Sequence, residues 1–104
     1  MIVRITRELT RVKDANDCTR LHVEAPDLAD EAVGEALATH GMGRAGEPGQ
    51  VWLDVGALRR AARAAASVPG WDTSFDAMLG YARTKGWLDA TGRSVAAHIE
   101  RSTS

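Results

Sequence analysis

The chain has 104 residues, a length for which a single domain is expected, with roughly two thirds of the unfolded surface available for burial. Its 13 Lys and Arg against 14 Asp and Glu give a net charge of −1 and a pI of about 6.3, which argues against a general polyanion binder, because such domains carry a clear basic excess or stripe. Cys18 is the only cysteine, which excludes an intramolecular disulfide and gives no reason to place the chain in an oxidising compartment.

The opening residues MIVRITRELTR hold no apolar h-region, and no later stretch is long enough to span a membrane, so a cytoplasmic protein is expected. Arginine is preferred over lysine, and alanine and glycine are abundant, which suggests GC-rich bacterial coding. From Ile2 to Val12 apolar and polar residues alternate, Val3, Ile5 and Leu9 on one side and Arg4, Thr6, Glu8 and Thr10 on the other. This predicts a half-buried strand, and Arg7 and Arg11 on its nominally apolar side imply a sheet edge, with a bulge that shifts the alternation as the alternative. Asp14 to Asp17 reads as a turn. Arg20 to Ala25 resumes the alternation, with Leu21 and Val23 inward and Arg20, His22 and Glu24 outward, so a β-hairpin with one polar face is expected.

Pro26 stops that strand. Asp27 or Asp30 then offers an N-cap for a helix through Thr39, with Ala29, Val33, Ala36 and Leu37 at helical spacing and Gly41 as its C′ residue. Gly41-Met42-Gly43-Arg44-Ala45-Gly46 matches G-x-G-x-x-G, but it leaves a helix and approaches a strand. A dinucleotide cradle needs the reverse order, so a flexible solvated connection is expected instead. Val51 to Asp54 is an apolar strand running straight into a helix, with the Asp54 carboxylate placed to accept the N–H of Gly56 or Ala57. In that helix Val55, Leu58, Ala62 and Ala65 form a narrow apolar stripe, and Arg59, Arg60 and Arg63 project from another side.

Val68, Pro69 and Gly70 end that helix. Trp71 to Lys85 has the strongest helical periodicity of the chain, through Trp71, Phe75, Met78, Leu79 and Ala82, with Thr73 and Asp76 resembling a capping box. Gly86 closes it, and Trp87 falls where an apolar residue folds back on the last turn, against Ala82. After a turn at Ala90, Thr91 and Gly92, the alternation of Val95, Ala97 and Ile99 with Ala96, His98 and Glu100 predicts a last strand, with a helix as its alternative. A polar tail follows at 101–104. The expected architecture is α+β in the order β-β-α-β-α-α-β, one domain over 1–104 with a mainly antiparallel four-stranded sheet and three helices on one face.

The chemistry is sparse. His22, His40 and His98 lie in separate elements and form no metal-ligand spacing, and there is no G-x-S-x-G elbow, Walker A loop or S-x-x-K motif, so neither a metal nor a cofactor is expected. His22 with Glu24, and His98 with Glu100, would converge if their strands were neighbours, which makes His22, Glu24 and His98 the candidate acid–base groups. Trp52, Trp71, Tyr81 and Trp87 are the candidates for ligand or partner contact, because several indoles are hard to bury fully in a small domain. Arg59, Arg60 and Arg63 are the candidate anion-binding side, set against ordinary solvation of a charged helical face. The leading reading is a non-catalytic binding module that forms a homodimer or meets a protein partner. The alternatives are a small-molecule binder or small enzyme with an aromatic cleft and a His/Glu polar site, and nucleic-acid binding through the three arginines.

Overall fold

The structure is a computed structural model that describes residues 1–100; the expected tail at 101–104 lies outside the described residues. The elements follow as β1 (Ile2–Ile5), β2 (Thr10–Lys13), β3 (His22–Glu24), α1 (Asp30–Thr39), β4 (Gly43–Ala45), β5 (Gln50–Asp54), α2 (Val55–Ala65), α3 (Trp71–Thr84) and β6 (Ser94–Glu100). The α+β class and the three helices are as expected, and Ser94 to Glu100 is a strand. The sheet is different. It has six strands in the order β2-β1-β3-β6-β5-β4 and is mixed rather than four-stranded and mainly antiparallel.

The first difference arises at Thr6. Its N–H donates to the carbonyl of Leu9 at 3.0 Å, and its hydroxyl oxygen accepts from the N–H groups of Glu8 and Leu9 at 3.3 and 3.2 Å. This side-chain turn splits Ile2–Val12 into a hairpin, β1 antiparallel to β2 with Val3 opposite Val12 and Arg4 opposite Arg11. Leu9, expected inward, sits on the turn and is exposed. Because the chain has already reversed once, the turn at Asp14 to Asp17 returns it to its first direction. β3 therefore lies parallel to β1, and not antiparallel as a simple hairpin requires.

The second difference is the glycine segment. Met42 is buried and Gly43–Ala45 pairs antiparallel with β5 as an edge strand, where a flexible connection was expected. Gly43 is needed for close approach, since a Cβ at this position would fall 2.0 Å from the carbonyl oxygen of Trp52.

One face of the sheet carries the core. Val3 pairs with Val23, Leu53 with Val95 and Val51 with Ala97, all buried. They join Val33 and Leu37 of α1, Leu58 and Ala62 of α2 and Phe75 of α3 in a single apolar cluster. α2 touches both β2 and β5, which are far apart in the strand order, so the sheet curls around this helix. The other face is polar, with Arg4, Arg11, Glu24, Gln50 and Trp52 on it.

The helix ends follow local chemistry in part. Asp54 caps α2, its Oδ2 accepting from the N–H of Ala57 at 2.8 Å. α3 ends on Gly86 with φ at 76°, and Trp87 N–H donates back to Ala82 at 2.9 Å while Gly86 N–H donates to Arg83 at 3.2 Å. The other caps differ from expectation. Ala29 stands at the N-cap of α1 without a side-chain bond, and Asp30 instead accepts from the N–H of Gly49. Gly70 stands at the N-cap of α3, and Asp76 turns outward to Arg59.

Candidate functional site

β6 changes partners along the edge opposite β5. At its start Leu88 pairs with Val95, and the N–H of Ala96 donates to the carbonyl of Trp87 at 2.7 Å. At its end Ile99 and Glu100 pair with Val23 and Glu24 of β3. Between these two pairings lie Ala96, Ala97 and His98, and over them opens a groove of about 540 Å³. Its apolar wall is Met78, Leu79, Tyr81, Ala82 and Trp87, and facing it are the residues from Thr19 to His22. The two ends differ in chemistry. Trp87 lies at the Val95–Ala96 end, whereas His22, Gln50, His98 and Glu100 gather at the other, with Gln50 opposite His98 and His22 Nε2 at 3.4 Å from Glu100 Oε2.

The aromatic edge of the groove is positioned by the end of α3. The backward hydrogen bond of Trp87 onto Ala82 holds its indole beside the last turn, and Tyr81 meets it edge-on with ring centroids 5.9 Å apart. Both rings remain accessible, Tyr81 at 57% and Trp87 at 44%. An apolar ring pair left half-open beside polar side chains is the usual composition of a small-ligand site.

The expected site residues separate accordingly. His22 and His98 come together in the groove, on neighbouring strands. Glu24 does not join them: its carboxylate is bonded to Arg4 and lies 3.5 Å from Lys13, and the Arg4 bond, followed by Lys13, holds its pKa below the ordinary value. Glu100 takes the place beside His22, a partner that only the register across β3 and β6 supplies. Tyr81 and Trp87 line the groove. Trp71 belongs to the core, 5% exposed, stacked on Phe75 and donating its indole N–H to the carbonyl of Ala15 at 2.6 Å. Trp52 is half-buried on the polar face of β5, beneath the guanidinium of Arg44.

The arginines of α2 are largely engaged within the chain. Arg59 reaches Asp72 and Asp76 and lies over the ring of Phe75, and Arg63 reaches Asp72. Arg60 is exposed. Cys18 lies in a hollow next to the groove, and burial pushes its thiol pKa up, the opposite of what an activated nucleophile needs. Among the described residues no three His, Cys, Asp or Glu side chains come together as a metal-binding group.

Leu79 and Gln50 are site residues that sequence reasoning did not select. The helical periodicity of α3 marks Leu79 as core, and nothing along the chain pairs Gln50 with His98. Comparison with protein-family models, curated proteins and solved structures finds no match for this chain.

Proposed function

We propose that this protein is a small, non-catalytic binding module, and that its contact surface is the groove between Trp87 and His22. The observation that carries this reading is the gradient along β6: exposed aromatic rings at one end and a cluster of hydrogen-bonding side chains at the other, within a volume suited to a small molecule. A ligand with an apolar body and a polar end fits both halves. Burial pushes the pKa of the neighbouring Cys18 thiol up, which supports binding over nucleophilic chemistry.

The test uses the anionic dye 8-anilinonaphthalene-1-sulfonate, followed by fluorescence and by amide and indole N–H shifts. Saturable binding is expected, with shifts centred on Tyr81, Trp87, His22 and His98 and an affinity about tenfold lower in Trp87→Ala. Shifts scattered over the surface, or unchanged affinity in that variant, would remove the groove as the contact surface.

A second reading, in which the same aromatics meet a protein partner or a second copy of the chain, is favoured by the exposure of Tyr81 and Trp87. Self-association through the hairpin edge has less support, because β2 presents Arg11 and Lys13 there, a charge pattern that opposes strand addition. A monomer in sedimentation at high concentration would set the homodimer aside. Nucleic-acid binding through α2 also has little support, since Asp72 and Asp76 already answer Arg59 and Arg63.

A further inference from the structure

We infer that the ligand of this groove is a short peptide, one residue of which lies extended in a gap of the sheet, its N–H on the carbonyl of Ala96 and its carbonyl on the N–H of His98. This rests on the binding reading above and names the class of molecule bound.

The gap follows from the direction of the hydrogen bonds along β6. Gln50 N–H donates to Glu47, the Gln50 carbonyl accepts from Gly46, and Asp54 N–H donates to Met42, so the even-numbered residues of β5 turn their main chain away from β6. The odd-numbered ones face β6, where Val51 and Leu53 meet Ala97 and Val95, and Ile99 continues that row by donating to Gly49 at 2.8 Å. The main-chain groups of Ser94, Ala96, His98 and Glu100 therefore point to the opposite edge. At one end of that edge the Ser94 carbonyl accepts from Asp89 at 3.0 Å and Ala96 N–H donates to Trp87 at 2.7 Å. At the other end Val23 stands opposite Ile99 in parallel pairing, which engages the His98 carbonyl and the Glu100 N–H. The Ala96 carbonyl and the His98 N–H remain between them, and among the described residues neither has a hydrogen-bond partner. Leu21, next along from β3, lines the groove and bonds to neither.

An acceptor and a donor on either side of Ala97 are the two groups that one extended residue satisfies in parallel pairing, its own N–H meeting the first and its own carbonyl the second. Residues paired across a sheet put their side chains on the same face. Ala97 is buried on the core face, so the side chain of the ligand residue falls toward Met78, Leu79 and Ala82, the apolar wall of the groove. A large aliphatic residue suits that wall. Trp87 and Leu88 close the gap at one end and Val23 closes it at the other. Only one residue pairs there, and a long strand of a folded partner finds no continuous edge to join.

Titration of the whole chain with N-acetyl-leucinamide, followed by amide N–H shifts and hydrogen exchange, tests this. The His98 N–H is expected to move downfield and to exchange more slowly on binding, because it gains an acceptor. The ester analogue, with oxygen in place of the ligand's leucine N–H, is expected to bind about fivefold more weakly, the worth of one hydrogen bond to the Ala96 carbonyl. N-acetyl-glycinamide, which lacks the side chain, is expected to bind about tenfold more weakly. His98→Pro removes the donor without breaking a bond to β5 and is expected to weaken binding of the leucine compound about fivefold; the ester keeps the test decisive if that variant does not fold. Equal binding of amide and ester, or a His98 N–H that does not move, would overturn the peptide class, and the groove reading stands if the dye still binds at Trp87. A steep rise in affinity when alanines are added on both sides of the leucine would overturn the closed gap and point to a partner's strand. If neither the peptide nor the dye finds a site in the groove, both readings fall.

Discussion

At the scale of single residues, the four large aromatics first grouped by composition have three different fates. Trp71 is tied to the core through one hydrogen bond from its indole to the Ala15 carbonyl, which also anchors the Asp14–Asp17 turn to α3. Trp71→Phe removes that buried hydrogen bond and is expected to destabilise the fold by about 1–3 kcal/mol in urea denaturation. Trp87→Phe, at a half-open position, is expected to change stability by less than about 0.5 kcal/mol. Glu24 offers a test by pH. Its pKa in the folded chain is lowered by Arg4 and then Lys13 from the ordinary 4.5. Its contribution is therefore present in full above that value and is lost as the pH falls through the lowered folded pKa. Glu24→Gln is expected to flatten the acid limb of the stability profile below pH 4.5, measured by denaturation across a pH series.

At the scale of elements, the join of β5 and α2 is the best-determined part of the chain, because one side chain decides it. Asp54 closes the strand, opens the helix and accepts the Ala57 N–H at 2.8 Å. Asp54→Ala is expected to cost about 1 kcal/mol and Asp54→Asn much less, by chemical denaturation. The close of α3 was equally legible: a glycine followed by an apolar residue encodes both the left-handed turn and the return of Trp87. Where an acidic residue was assigned to the start of α1 or α3 the reading failed. Asp30 and Asp76 both found partners distant in sequence, Gly49 and Arg59, which no local pattern reveals.

At the scale of the whole molecule, the sheet closes the core by curling around α2 and leaves two edges, β2 and β4. The β2 edge is guarded by Arg11 and Lys13, whose charges discourage pairing with another chain. Replacing both with valine is expected to produce concentration-dependent association in sedimentation velocity at concentrations where the unaltered protein shows none. Loss of the groove gradient would be a different outcome, because the groove lies at β6, three strands inward from β2.

The sequence by itself determined what depends on neighbours a few residues apart: the three helices, the cap at Asp54, the turn at Gly86, and the strand character of Val51–Asp54, whereas Ser94–Glu100 stayed open between strand and helix until the structure paired it. Those features arise from side-chain periodicity and local hydrogen bonds, which a linear reading can count. The tertiary structure alone decided strand direction and partnership. The turn at Thr6 reverses the chain, so β3 runs parallel to β1 and lies beside β6, which brings His22 to Glu100. The groove exists because β6 exchanges Leu88 for β3 along one edge, a consequence of pairing between segments far apart in the chain, where register is chosen by burial of the whole sheet face and not by any local signal.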